Sequence, residues 1–444
     1  MNQNFMKERK ILPLVISMSL PMVISMAINS LYNIIDSYFV AKISDDAMTA
    51  LSLVYPAQNL MTAIAVGFGI GMNARIAFCL GAGQKEQADK ATSTGMLLSV
   101  IHGIILMIVC MLLMPWFLKM YIENDNVIRM GLEYANRVFL FSVIIMLGIS
   151  LEKIFQAVGR MKVSMISMMC GFISNIVLDP LMIFGIGPFK EMGMAGAAYA
   201  TGIGQTITLL VYVGFCVLSP LPVEFSKNSI SFEAELMKKL YSVGIPASLN
   251  MALPSLMISA MNGILAEFSE KYVLVLGAYY KLQTFIYLSA NGIIQGIRPI
   301  ISFNYGAGEK KRVSQVFRTT LILTAIVMLI GQVLSFAIPR QMIGIFTSSQ
   351  ETIDIGVMAL HIISCGFVIS AVSVTSCGAL EALGKGIPSL IISLCRYAIV
   401  IIPIAYVTSQ SIGAKGVFVA FPITEILSGI ASFIITCVKQ KENL

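Results

Sequence analysis

Charge is what this chain has least of. Of its 444 residues only 12% are Asp, Glu, Lys or Arg, while 57% are hydrophobic; ordinary soluble domains carry roughly 25% charged residues. With a mean hydropathy of +0.85, the polar surface is too small to clothe a globule in water, and the class is integral membrane protein. Histidine is scarcer still: His102 and His361 stand alone, without the H-E-x-x-H spacing of a zinc enzyme. Eight cysteines (Cys79, Cys110, Cys170, Cys216, Cys365, Cys377, Cys395 and Cys437) include no C-x-x-C pair and sit in or at the ends of apolar runs. They read as small core hydrophobes, not as disulfide or metal positions. No P-loop or nucleotide-binding segment is present, which excludes an ATP-driven pump, and no organic cofactor or resident metal is called for. The G-F-G-I-G run at 67–71 lacks a βαβ context and reads as close helix packing. The net charge of +7 does not imply nucleic acid, because the basic residues cluster in short connections between apolar runs, the pattern of loops facing an anionic leaflet.

A helix needs about 20 apolar residues to cross a bilayer, and twelve such stretches are present. Their limits are 12–40, 48–79, 93–117, 134–156, 163–186, 193–218, 241–267, 273–301, 315–338, 353–380, 386–408 and 416–437. The first begins after Lys7, Arg9 and Lys10 and has a signal-like Ser25-x-Ala27, but Pro13 and Pro21 interrupt it and it continues well past Ala27, so an uncleaved span is expected. Eighteen of the 30 Lys and Arg lie in the termini and even-numbered connections, Lys439 and Lys441 among them, against seven in the odd-numbered ones. The positive-inside rule then puts both termini in the cytoplasm of a multi-pass cell-membrane protein. Five more basic residues, Arg75, Arg137, Lys281, Arg298 and Arg396, fall within or at the edges of spans.

The chain also repeats itself. I-G-M-N-A-R-I-A-F-C-L-G-A-G at 70–83 aligns with Q-G-I-R-P-I-I-S-F-N-Y-G-A-G at 295–308; at the same shift of 225, Pro21 meets Pro246, Gly131 meets Gly356, and Q-A-V-G-R at 156–160 meets E-A-L-G-K at 381–385. Toward the ends the shift is 220, where Gly193, Gly196 and Ala200 meet Gly413, Gly416 and Ala420. The expected fold is all-α: a six-helix N-terminal lobe (1–218), a charged cytoplasmic linker (219–239) and a six-helix C-terminal lobe (240–444). Six is even, so the repeats enter the membrane in the same direction, as parallel repeats around a central cleft that rocking would open to either side.

With the twelve-span plan, L-Y-N-I-I-D at 31–36, the L-G-A-G-Q-K and N-Y-G-A-G-E-K-K loops, F-Q-A-V-G-R at 155–160 and N-I-V-L-D-P at 175–180, the chain resembles the multidrug and toxic compound extrusion family over essentially its full length. The resemblance implies a secondary antiporter that exports organic cations and other drugs against inward proton or sodium flow, working as a monomer in the bilayer. Its alternatives are a flippase for lipid-linked saccharides from the same superfamily, which would want a strongly cationic cleft, and a membrane-embedded enzyme, for which no nucleophile and base or metal set stands out.

Ionisable groups at membrane depth are functional candidates by default. At 1.5 Å per residue, Asp36 lies about 9 Å from the outer end of its span, Asp179 about 12 Å, and Thr201 about 13 Å on the returning helix; Asn175 stacks one turn below Asp179. The second half offers no copy, since Asp36, Asn175 and Asp179 meet Met261, Val400 and Ile404 at the 225 shift. The four therefore form the candidate coupling site for H⁺ or Na⁺, in agreement with the first-half acidic and amide cluster of the family's archaeal and related bacterial members. Their competing reading is helix-to-helix hydrogen bonding. Two carboxyls at one depth titrate as a coupled pair. Candidates to line a substrate cleft are Met26, Tyr32, Asn33, Met257, Met261, Tyr280, Lys281 and Glu425, whose adaptable sulfur, aromatic and polar groups suit varied cations; core or lipid contact is the competing reading for the methionines. Pro21 is placed to bend the first span, and Glu152, Gln156 and Glu381 to tie helix ends together.

Overall fold

The computed structural model describes residues 4–441, with side chains to 436; Cys437, Lys439 and Lys441 therefore have side chains outside the description. A short α1 (Phe5–Glu8) precedes α2 (Ile11–Ala41), α3 (Asp45–Gly81), α4 (Lys85–Tyr121), α5 (Asp125–Leu140), α6 (Ser142–Ala157), α7 (Met161–Ile183) and α8 (Met194–Leu218). After a 3₁₀ turn at Lys227–Ser229 come α9 (Ala234–Ala266), α10 (Glu270–Gly306), α11 (Lys310–Ala337), α12 (Pro339–Gly344), α13 (Gln350–Ser364), α14 (Phe367–Ala382) and α15 (Gly386–Leu394). A π-turn at Cys395–Ile399 leads into α16 (Ile401–Ile412), and α17 (Ala414–Lys441) ends the description.

Nine helical stretches are each long and apolar enough to cross a membrane, and two bent pairs, α5 with α6 and α13 with α14, do so together. α10, 37 residues long but carrying Glu270, Lys271, Lys281 and Arg298, is less apolar than these eleven and takes the place of the twelfth by its match to α3 in the repeat. The twelve spans of an all-helical membrane protein are thus present, with corrections in detail. Spans four and ten are not straight: they bend by 50° and 54°, at Phe141 and at Cys365–Gly366, and Phe141 and Gly366 are themselves 225 residues apart. Span four also begins at Asp125, nine residues before the hydrophobic stretch does, because Arg129, Glu133 and Arg137 punctuate its first helix. Span eleven is one path made of α15, the π-turn and α16.

The repeat shows in backbone geometry as well as in letters. α3 and α10 are both 37 residues long, and each ends at a glycine two residues later with positive φ: 72° at Gly83 and 75° at Gly308. Gly159 and Gly384, at 80° and 76°, end α6 and α14 in the same way. At all four ends the residue after the glycine donates its N–H back across the last turn, Gln84 to Cys79, Arg160 to Phe155, Glu309 to Asn304 and Lys385 to Leu380, at 2.8–2.9 Å. This is the left-handed helix stop that glycine permits and a side chain resists, so the G-A-G and A-x-G-R/K motifs are physical full stops.

The chain forms two compact units, one of Ile24–Gly244, the other of Asn4–Val23 with the chain from Ile245 onward. The dividing points fall inside α2 and α9, beside Pro21 and Pro246, and not within 219–239. Two apolar clusters build the first unit, one around Val54, Leu118, Tyr134 and Phe139 and the other around Met72, Phe155, Tyr212 and Leu240. The second unit centres on Met261, Leu276, Tyr279, Phe367 and Phe418. Segment 219–233 is strapped to the start of α4 within the first unit. Asp89 accepts the Glu224 N–H at 2.8 Å, Ser93 and Thr94 bond the backbone of Glu224, Ser226 and Ser231, and Arg160 reaches the Ser219 and Pro220 carbonyls at 2.6 and 2.8 Å. In the second unit α1 is held likewise: Met6 is fully buried, its carbonyl accepts from Asn304 and Arg312, and Lys7 pairs with Glu309.

Candidate functional site

Three helices of the first unit deliver the acidic cluster. Tyr32 of α2 lies flat on Phe172 of α7, ring centroids 5.3 Å apart and planes 6° from parallel. One turn further along come Asp36 on α2 and Asn175 on α7, with Asp179 a second turn on, so the stacked rings set the register in which the cluster assembles. From α8, Thr201 enters because that helix crosses α7 at glycine-to-glycine distance: a methyl on Gly171 would sit 2.6 Å from the Gly204 carbonyl oxygen, and one on Gly204 would sit 3.1 Å from the Asn175 Cβ.

All four candidates are buried: Asp36 8% exposed, Asn175 2%, Asp179 0% and Thr201 8%. Asn175 Nδ2 donates to Asp179 Oδ1 and to Thr201 Oγ1, both at 3.4 Å, and the Asp36 and Asp179 carboxyls lie within hydrogen-bonding reach of each other. The structure therefore brings together the four residues that the sequence placed at one depth. It adds three. Tyr32, expected to line a cleft, belongs here, its hydroxyl within reach of Thr201. Tyr134 also reaches Thr201 and accepts from Gln58 Nε2 at 3.2 Å. Neither Gln58 nor Tyr134 was flagged by sequence; the available signals were an amide in an apolar run, beside Pro56, and a tyrosine on the core face of amphipathic α5.

The chemistry of the cluster lies in what is left over. Oδ1 of Asp36, Oδ1 of Asn175 and Oδ2 of Asp179 are each buried without a hydrogen-bond donor. Buried polar atoms are normally satisfied, and three acceptors orphaned in one place call for a positive guest. A proton on either carboxyl turns an acceptor into a donor, and a small cation takes several oxygens at once; the residues fit both.

The remaining sequence candidates scatter. Met257 (4% exposed) and Met261 (0%) are core residues of the second unit. Met26 is half-buried, and Asn33 is exposed and bonded to the Asn29 carbonyl at 2.8 Å. Pro21 lies inside α2. Lys281 is exposed and sits over the Phe346 ring at 5.6 Å, and forms no ion pair among the described residues. Glu425 is paired with Arg396 and Tyr280 is half-buried nearby. The other basic residues near spans are placed too: Arg298 on Glu381, Arg137 on Glu133 and over Tyr199, and Arg75 over Phe78. The expected ties at helix ends are present, with Glu152 bonded to Lys153 and Gln156, and Glu381 to Asn250 and Ser389 as well as Arg298. Cys79 and Cys110 are buried as read, whereas Cys365, at the bend of span ten, is exposed.

Comparison with known proteins adds three findings. The MatE family model matches residues 21–181 and again 246–407, one match in each repeat. The multidrug export protein MepA of Staphylococcus aureus is 25% identical over 418 residues, covering 94% of this chain and 91% of that protein; the MepA of Staphylococcus saprophyticus is 23% identical over the same length. Among solved structures, the outward-facing conformation of a multidrug resistance MATE family transporter of the MOP superfamily superposes with a TM-score of 0.93 at 22% identity, covering 100% of this chain and 99% of that one. A MOP superfamily transporter from Pyrococcus furiosus, described as having a binding pocket of reverse polarity, gives 0.92 at 22% identity, with 100% and 98% covered.

Proposed function

The chain belongs to the MatE family, and from that premise we propose that it is a secondary antiporter exporting organic cations, drugs among them, in exchange for inward protons or sodium ions. Membership makes it a multi-pass membrane transporter and not an enzyme; its coupling is our reading. The observation that carries it is the trio of orphaned acceptors on Asp36, Asn175 and Asp179. In the proposed cycle a proton or sodium ion from outside satisfies those oxygens, the neutralised cluster loses its hold on a positive substrate, and the substrate leaves outward. The ion is released inward when the site is next exposed there, and a new substrate cation restores charge balance. Exchange of one proton for one monovalent cation is electroneutral and draws roughly 1.4 kcal/mol per pH unit; a second proton would add roughly the same again per pH unit and about 2.3 kcal/mol per 100 mV. Both termini cytoplasmic, and a monomer as the working form, complete the proposal.

The lipid-linked saccharide alternative wants free cationic groups for pyrophosphate. Of the five basic residues in or beside spans, Arg137, Arg298 and Arg396 are instead spent on Glu133, Glu381 and Glu425, leaving only Lys281 and Arg75 over rings, which favours the export reading. The test is ethidium efflux from vesicles under an imposed pH or sodium gradient, wild type against Asp36→Asn. Export that follows the gradient in wild type and ignores it in the variant supports the proposal; gradient-driven export that survives in the variant removes Asp36 from the coupling role.

A further inference from the structure

The second unit holds a buried ion pair that the exchange cycle does not use. Arg396 is 6% exposed and each of its three guanidinium nitrogens has a partner. Nε and Nη2 donate to Glu425 Oε1 at 2.8 and 2.7 Å, Nη1 to the Tyr397 hydroxyl at 3.0 Å, and Nη2 also to the Tyr287 hydroxyl at 2.8 Å. The Tyr287 and Tyr397 rings lie under it at 5.4 and 5.0 Å, and the Tyr287 hydroxyl donates a hydrogen bond to Ser370 Oγ at 2.8 Å. Arg396 is ten residues into span eleven and Glu425 eleven into span twelve, about 15 Å from either face at 1.5 Å per residue, the midplane of a 30 Å core. A charge there is costly and marks function by default.

Three further features separate this cluster from a structural tie. Arg396 sits in the π-turn Cys395–Ile399, a helix defect that recurs at functional sites, while the corresponding span of the first unit, α7, is an unbroken α-helix. Glu425 Oε2 and the Tyr280 hydroxyl are both buried with no hydrogen-bond partner. Tyr280, Tyr287 and Tyr397, each only half-buried, surround the arginine, so aromatic faces flank the polar pair. Arg396 and Glu425 cancel in charge, so the site offers no net attraction to a cation. What it offers is an unfilled carboxylate oxygen, a free phenol and ring faces.

We propose that these residues of the second unit form a recognition site for the ring and the N–H or O–H donor of the exported molecule, separate from the coupling cluster of the first unit. The donor bonds Glu425 Oε2, the ring lies among the tyrosines, and Tyr280 supplies the second polar contact. This inference rests on the export reading. Its consequence is selectivity by hydrogen bonding and not by charge. Ethidium, which carries two aryl amines, should depend on the site, and tetraphenylphosphonium, equally cationic and aromatic but without a donor, should not.

The test measures KM and Vmax for both compounds in the full-length protein in vesicles. Tyr280→Phe removes only the unpartnered hydroxyl and leaves the charge pair intact; Glu425→Gln, compared with the neutral double variant Arg396→Gln/Glu425→Gln, replaces the free acceptor. Loss of one hydrogen bond corresponds to about a 3- to 10-fold rise in KM. The expected result is a rise of that size for ethidium in Tyr280→Phe and in the double variant, with tetraphenylphosphonium within twofold of wild type and the gradient dependence of both unchanged. Equal losses for the two compounds, or no loss for ethidium in Tyr280→Phe, overturn the proposal. Failure of the coupling reading registers elsewhere, in gradient dependence, and leaves the contrast between the two compounds readable.

Discussion

Gly171→Ala tests whether helix contact, and not merely the presence of the right side chains, makes the acidic cluster work. A methyl there would lie 1.8 Å from Thr208 Oγ1 and 2.6 Å from the Gly204 carbonyl oxygen. The hydroxyl can rotate away, but the carbonyl is held by helix α8. Ordinary contact begins at 3.4 Å, so α7 and α8 must part by about 0.8 Å at this level. Asn175 stands one turn along the same face of α7, and its bonds to Thr201 and Asp179 are already at 3.4 Å; the bond to Thr201, which crosses between the two helices, is lost. Overpacking of this kind costs about 1–3 kcal/mol, so thermal unfolding in detergent should move down. Gradient-driven ethidium efflux should fall toward that of Asp36→Asn even though every polar residue of the cluster is retained. Gly214→Ala on α8 is the control, since a methyl there meets nothing within 4 Å and in a helix replaces glycine with a better former. If Gly171→Ala matches Gly214→Ala in both stability and coupled efflux, the geometric argument for the cluster is wrong.

Further outcomes follow from buried and exposed polar contacts. Asp89→Ala strips the acceptor from the Glu224 N–H and should cost about 1–3 kcal/mol with release of the 219–233 strap, seen as new proteolytic cleavage there. Lys85→Ala touches only an exposed pair with Glu224 and should leave the strap intact. The Lys85 hydrogen bond holds the Glu224 carboxyl below its usual range, so what it adds is present at neutral pH and fades as acid brings the pH down through that lowered value. Arg298→Met leaves Glu381, its side chain 5% exposed, as an unpaired buried charge and should destabilise by about 3–5 kcal/mol. Adding Glu381→Met should recover most of that loss in the same thermal assay, and a double variant no more stable than the single one would refute the pairing.

Much of the fold was written plainly in the sequence, for a physical reason. Spans are counted by runs of apolar residues, and the G-A-G and A-x-G runs were visible as repeat matches; that Gly83, Gly159, Gly308 and Gly384 end helices with positive φ came from the structure. The four polar residues of the first unit were also visible, because Asp36, Asn175, Asp179 and Thr201 sit at one depth when rise per residue is counted. Tyr134 and Gln58 were not, because their membership depends on how α3 and α5 pack against α8, and periodicity within one helix does not encode that. The bends at Phe141 and Gly366 escaped for a different reason: neither contains proline, and hydropathy does not change across a bend that stays within the bilayer.

The comparison of the halves shows how one duplicated scaffold holds two kinds of polar chemistry. Where the first unit has Asn175 and Asp179 on an unbroken α7, the second has only apolar residues at the repeat positions but inserts a π-turn one turn earlier, at Cys395–Ile399, carrying Arg396. Sequence periodicity treats that defect as an ordinary apolar helix with one stray arginine. The structure gives the arginine a partner, Glu425, and places the pair at a π-turn, a defect that recurs at functional sites. Acids without a counter-charge in one unit leave room for a mobile cation, whereas an acid with a built-in counter-charge in the other leaves room only for hydrogen bonds. The two sites are therefore distinguished by charge balance, and a substrate's charge and its hydrogen-bond donors should be separable determinants of export.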